Sequence, residues 1–242
     1  HRLGVHELLH PQLVVDGSTG EVVGADPGAA GPGQRVESWI VVEVDRVPDE
    51  EARQALADDL RDVLGDNRRA VEDWGDMRQR VRMIMADLEL RRPPTVDPAE
   101  VQPAIDLLRW LDDNHFTYLG YRVYDLDEDA DGTAYLRSVP GSGLGILRDR
   151  EGEGATRSQL RPEAAATARE PRVLTITKAN TRSTVHRTVP LDYVGIRRFD
   201  DEGRVIGEQR FLGLFTKSAY AESTTRLPIV GATAPERDVL LV

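Results

Sequence analysis

The sequence predicts an α+β fold with two antiparallel sheets separated by helices. Three observations lead there. β-rich runs occupy the first 47 residues and the last third of the chain, and two long stretches between them carry apolar residues at spacings of three and four. The C-terminal strands also follow one another directly across turns, with no helix between them, which argues against a parallel α/β sheet.

Residues 4–15 read as a strand, and residues 16–34, with "DGSTG" and "DPGAAGPG", read as turn and loop around a short "EVV" strand. "ESWIVVEVDRV", from Glu37 to Val47, is rich in β-branched residues and predicts a central strand. Pro48, Asp49, Glu50 and Glu51 start a helix with acids in its first turn; Ala52, Leu56, Leu60 and Val63-Leu64 form its apolar stripe and Gly65 ends it. A second helix, from about Asn67 to Leu90, carries Trp74, Met77, Val81, Ile84 and Leu88 at seam spacing. "RRPP" at 91–94 breaks it and reads as a linker.

Asp97 then caps a helix with Pro98 at its first position and Ile105, Leu108 and Leu111 on its stripe, up to Asn114. "HFTYLGYRVYDL" is a strand, "DEDADG" a turn and "TAYLRSV" the returning strand of a hairpin. Residues 149–170 are charged and alanine-rich, which predicts a mobile loop or weak helix. The last third reads as three consecutive antiparallel strands. The final one, "RFLGLFTKSAY" from Arg210 to Tyr220, is apolar on both faces and so is expected to be covered on both sides.

Composition narrows the function. The 242 residues are 40% hydrophobic, enough for a real core, and the net charge of -11 repels phosphate backbones, so nucleic acid is not an expected partner. There is no cysteine, hence no disulfide, thiolate metal site or cysteine nucleophile. No apolar run approaches a membrane span, and the expectation is a cytoplasmic protein.

Four short motifs invite chemistry. His6-Glu7-Leu8-Leu9-His10 spells a zinc-hydrolase signature, but that signature works only on a helix, where residues four apart share a face. Pro11 pushes His10 toward extended backbone, and a strand follows, so a strand is expected and no metal site. Asp127, Asp129, Asp131 and Gly132 match the first half of an EF-hand loop, yet Ser138 replaces the bidentate glutamate and strands flank it, so a hairpin turn is expected, with weak surface calcium binding as the alternative. "GSGLG" from Gly141 to Gly145 lacks dinucleotide spacing and reads as a turn. The densest polar cluster is "TKANTRSTVHR", where Lys178, Asn180, Arg182, Ser183, His186 and Arg187 either converge on a carboxylate ligand or form a solvent-facing turn or interface.

Six stretches, "ESWIVVEVDRV", "LLRWLDDNHFTYLGYRVYDL", "GSGLGIL", "TKANTRSTVHR", "DYVGIRRFDDEGRVIGE" and "RFLGLFTKSAY", together resemble the N-terminal regulatory part of the large-subunit bacterial NAD-dependent glutamate dehydrogenases. The resemblance implies a partial ACT-like (ferredoxin-like) module over residues 1–66, a helical connector and linker over 67–96, a PAS-type module over 97–220, and a tail or the start of a next module over 221–242. It also implies a parent enzyme that oxidatively deaminates L-glutamate with NAD, while this chain holds neither catalytic residues nor cofactor. Its expected partners are the rest of its own chain, other subunits of a homo-oligomer, and a small effector such as an amino acid. A purely structural oligomerisation module is the alternative, and a zinc hydrolase the last choice.

Overall fold

Pro11 divides the first expected strand in two, because proline has no amide hydrogen to give a ladder. In the computed structural model, which describes residues 3–150, 152 and 154–221, β1 (Val5–Leu9) and β2 (Gln12–Asp16) enter different sheets. The strand expected over Glu37–Val47 is likewise split, into β4 (Gln34–Ser38) and β5 (Val41–Val44), at a corner where the Trp39 amide donates to the Pro11 carbonyl. β4 joins β2 and β3 (Val22–Gly24) in the order β3-β2-β4, whereas β5 pairs with β1 in a two-stranded antiparallel ribbon. Val41 and Val42 are exposed there, so this run is no central strand. Its β propensity is realised, and the expected central position in a sheet is not.

The chain forms two compact units that divide between Asp59 and Leu60, inside helix α1 (Glu50–Glu72). α1 passes straight through Gly65, where an end was expected. A glycine costs a helix interior about 1 kcal/mol relative to alanine, but without a left-handed turn or proline after it the helix continues. The break falls instead at Asp73 (φ -90°, ψ 2°), and α2 (Trp74–Leu90) follows. Met77, Val81, Ile84 and Leu88 of the expected stripe are buried, while Trp74 is not. α3 (Pro98–Trp110) is capped as anticipated, with the Asp97 carboxylate accepting from the Ala99 amide at 2.8 Å. A wider turn over Leu111–His115, with Asn114 in the left-handed region at φ 60°, aims the chain into the next strand.

The second unit is built on a seven-stranded sheet of β6 (Phe116–Glu128), β7 (Ala134–Ser138), β8 (Leu144–Gly145), β9 (Arg157–Gln159), β10 (Leu174–Arg182), β11 (Pro190–Phe199) and β12 (Val205–Phe215). Its order is β10-β11-β12-β6-β7-β9, with β8 also pairing with β6, and each pair is antiparallel. The described residues thus hold three sheets, not the two anticipated. β9 and the short helix α4 (Pro162–Arg169) lie within 149–170, where a mobile loop or weak helix was expected; the helix is there, and its small alanine methyls, Ala165 and Ala168, are buried. The last strand stops at Phe215, and α5 (Lys217–Ala221) replaces its expected end, the Thr216 hydroxyl accepting from the Ala219 amide.

One face of this sheet packs against α2 and α3. Tyr118, Tyr121, Val194, Ile196 and Phe211 meet Met77, Val81, Ile84, Ile105 and Leu108 in one cluster. The opposite face holds Leu119, Leu191, Tyr193, Leu212 and Leu214, joined by Ala70 of α1. β12 is therefore covered on both sides, as its two apolar faces require.

Candidate functional site

Strand alternation brings a row of charges together on that second face. Register sets Arg210 of β12 directly opposite Arg122 of β6, and Glu208 opposite both Tyr124 of β6 and Arg197 of β11. Side chains of period two therefore place Tyr193, Arg197, Glu208, Arg210, Arg122 and Tyr124 side by side. Arg122, Arg197, Glu208 and Arg210 are all buried.

Glu208 is the hub of the row. Its carboxylate accepts from the Tyr193 hydroxyl at 2.7 Å to each oxygen, from Arg197 Nη1 at 2.6 Å, and from Arg210 Nη2 and Nε at 2.8 and 3.1 Å. The Arg210 guanidinium also lies over the Tyr124 ring, 4.1 Å from its centroid, and 5.2 Å from that of Tyr193, where ring quadrupoles favour a cation. Burial alone would raise the Glu208 carboxyl, but the Arg210 and Arg197 charges and the Tyr193 hydrogen bond outweigh it, and its pKa is lowered from the ordinary 4.5. Burial, with the Glu208 charge beside it, pushes the Tyr193 hydroxyl up, so it stays a donor.

A glycine loop and the α1–α2 junction lie over part of this row. Arg122 donates to Asp149 at 2.6 Å, and Asp149 also accepts from the Gly141 amide at 2.7 Å. Asp73, at the junction, accepts from the Gly145 amide at 2.7 Å and from Arg148 Nε and Nη2 at 2.9 and 2.5 Å. Gly145 sits at φ 62°, and a Cβ there would lie 2.1 Å from the Leu119 carbonyl oxygen, so "GSGLG" is a turn pressed onto the sheet. Two turns earlier on α1, Asp66 accepts from the Thr184 hydroxyl at 2.9 Å.

The cluster singled out by sequence lies on β10 and its connection to β11, and its members engage separate partners. Lys178 pairs with Asp192 at 2.5 Å, Arg182 donates to the Thr188 carbonyl at 3.0 Å, and Arg187 donates to the Phe215 carbonyl at 2.9 Å. Asn180 and His186 are exposed, and His186 adopts a left-handed backbone at φ 65°. The carboxylates of the acidic hairpin likewise part ways: Asp127 goes to Arg137, Asp129 to Arg157, and Asp131 to the Thr133 amide. In "VHELLHP" the backbone is a strand, with His6 on Asp45 at 2.8 Å and His10 on the Ser38 hydroxyl at 2.5 Å, so the helical geometry that a zinc clamp needs is not there.

Sequence reasoning missed Arg122, Arg197, Glu208 and Arg210. The available signal was a charge at matching parity inside three strand runs otherwise fit for burial, "GYRVY", "GIRRF" and "GEQRF". What those charges meet could not be read, because it depends on strand register.

The second unit thus holds a carboxylate hub, Glu208, buried in its antiparallel sheet. Residues 1–60 match the model for the glutamate dehydrogenase ACT1 domain, and most of the chain matches an N-terminal region of large NAD-specific glutamate dehydrogenases. It is 38% identical over 196 residues to the NAD-specific glutamate dehydrogenase of Halomonas elongata, covering 80% of this chain and 12% of that one. The enzyme of the same name from Pseudomonas aeruginosa is 36% identical over 210 residues, covering 86% of this chain and 13% of its own, and that from Mycobacterium tuberculosis is 27% identical over 240 residues, covering 98% and 14%. The chain therefore spans about an eighth of the length of these curated relatives. No helix among the described residues is long and apolar enough to cross a membrane.

Proposed function

We propose that this chain is a non-catalytic regulatory and assembly part of an NAD-dependent glutamate dehydrogenase, acting in the cytoplasm within a homo-oligomer. In this reading the ACT-like module spans residues 1–66 and the PAS-type module residues 97–220. The hydride transfer from L-glutamate to NAD belongs to other residues of the parent. The observation that carries this reading is the fate of the charges: the Glu208 carboxylate is taken up by Arg197, Arg210 and Tyr193 inside the sheet, and Tyr193 is held protonated, which leaves neither Glu208 nor Tyr193 poised to exchange protons at neutral pH.

An amino-acid effector is the favoured ligand. Lys178, Asn180, Arg182, His186 and Arg187 at the β10–β11 connection are the donors its carboxylate would draw from their separate partners, and binding there would act on the distant catalytic domain only through a difference in affinity between two states. One observation supports the structural alternative: both faces of the large sheet are filled, and a surface cleft of about 550 Å³, lined by Arg78, Asp106, Arg109, Trp110, Asp112 and Asp113, is mostly walled by paired charges.

Calorimetry and thermal shift against amino acids, 2-oxoglutarate, nucleotides, zinc and calcium separate the two. A saturable rise in Tm with an amino acid, lost in R182A/R187A, is the expected result, together with no NADH formation from glutamate and NAD. Heat and Tm unchanged by every compound would move the assignment to a scaffold, and NADH formation would overturn it.

A further inference from the structure

The charge row on the second face of the seven-stranded sheet holds one cation more than its anions answer. Arg122, Arg197 and Arg210 are 7%, 5% and 6% exposed; Arg197 and Arg210 share Glu208, and Arg122 has Asp149. Asp73, the other acid beneath the glycine loop, is taken by Arg148. In a chain of net charge -11 this surplus is local to the row. Two nitrogens register it, since Nε of Arg122 and Nε of Arg197 are buried without a hydrogen-bond acceptor.

Asp149 is the movable member. Strands hold the three arginines and Glu208, whereas Asp149 ends the loop over 141–149 and its side chain is 28% exposed, so its pair with Arg122 opens to solvent. Its carboxylate accepts from Arg122 Nη2 at 2.6 Å and from the Gly141 amide at 2.7 Å. The neighbouring pairs are closer matches: Arg210 gives both Nε and Nη2 to Glu208, and Arg148 gives both to Asp73. That planar pair of donors is what a carboxylate engages best, and Asp149 uses half of it. Gly143 covers the other half, because a Cβ there would stand 3.1 Å from Arg122 Nε. A carboxylate that takes both nitrogens must therefore lift the loop and replace Asp149.

We propose that Arg122 anchors a binding site for a small carboxylate anion, which Asp149 fills in this structure and leaves when the ligand enters. The site is separate from the β10–β11 connection. With Asp149 withdrawn, three arginines face Glu208 alone, so a dicarboxylate is favoured over a monocarboxylate, and either over a zwitterion whose ammonium adds to the surplus.

Thermal unfolding at constant ionic strength tests this, with succinate, acetate, glycine and inorganic phosphate as probes against chloride. Succinate is expected to raise the Tm of the unmodified chain saturably, acetate more weakly and glycine not at all. D149A, which strands Arg122, should melt several degrees lower. Succinate should restore it at roughly one tenth of the concentration that acts on the unmodified chain, because the competing carboxylate is gone. D149A/R122Q should melt above D149A and ignore every probe. R182A/R187A should respond like the unmodified chain, so this site and the one at the β10–β11 connection can fail separately. No rise in the unmodified chain, a response that survives R122Q, or phosphate or chloride restoring D149A as well as succinate does would overturn the proposal. Should D149A not fold, hydrogen exchange of the unmodified chain decides: succinate should quicken residues 141–149, and unchanged exchange there overturns the site.

Discussion

The two faces of the seven-stranded sheet are both covered, and they differ in chemistry. Toward α2 and α3 the sheet presents Tyr118, Tyr121, Val194, Ile196 and Phe211, whose stabilisation comes from apolar area and close packing. Toward the glycine loop and the α1–α2 junction it presents a row of three arginines and Glu208 beside a smaller apolar cluster. The first face tolerates imperfect direction, because dispersion and hydrophobic burial are nearly isotropic. The second depends on each buried charge keeping its partner, since a buried charge left alone costs far more than a lost methyl group. Two solutions to the burial of one sheet therefore have different failure modes.

The largest effect is expected from breaking the ionic face one partner at a time. Glu208→Ala strands two buried guanidiniums and should lower stability by about 3–5 kcal/mol in urea unfolding. Phe211→Ala on the apolar face should lose a similar amount through cavity formation, about 3–5 kcal/mol. The faces separate on combined replacement. Changing Arg197, Glu208 and Arg210 together to apolar residues of like volume should restore much of the loss, whereas no second substitution around the cavity left by Phe211→Ala would do so by removing charge. If the triple variant is no more stable than Glu208→Ala, the charge row is not what makes that face fragile.

A pH titration sharpens the same comparison. The Glu208 carboxyl has a folded pKa below 4.5, so its contribution is fully present above the unfolded value and is lost as pH falls through the folded one. Stability of the parent sequence should therefore drop steeply below about pH 4.5, and Glu208→Gln should flatten that acid limb. An unchanged limb would place the acid sensitivity elsewhere.

A smaller effect is expected at Asp73. Its carboxyl is also lowered: burial acts to raise it, and the Arg148 and Gly145 hydrogen bonds prevail. Asp73→Asn weakens the charge-assisted pairing with Arg148 and should cost about 1–3 kcal/mol. Hydrogen exchange should quicken in residues 143–148 and 66–73 before it does in β11 and β12. Uniform quickening would instead mean that this contact is no more local than any other.

Much of the second unit was legible because local chemistry and final structure agree there. The Asp97-Pro98 cap, the Met77-Val81-Ile84-Leu88 stripe and the "DEDADG" hairpin each need only neighbours within a few residues, and each stands as read. Illegible features have a common cause. Gly65 did not end its helix because the decision depended on the residues beyond it, and Asp73 became the break where its carboxylate meets Gly145, 72 positions away in sequence. The strand over Glu37–Val47 was divided by pairing with two different partners, which propensity does not encode. The tail assigned to residues 221–242 lies, beyond Ala221, outside the described residues.

By itself the sequence determined the α+β class, the helical middle, most of the strands and a resemblance specific enough to anticipate the relatives, because periodicity, caps and long ordered motifs are properties of the chain alone. Tertiary structure decided which charges meet. A one-residue shift in the register of β11, β12 or β6 would move Arg197, Glu208 and Arg210 to the other face, so only the assembled sheet could make Glu208 a hub and leave Lys178, Arg182 and Arg187 on separate partners.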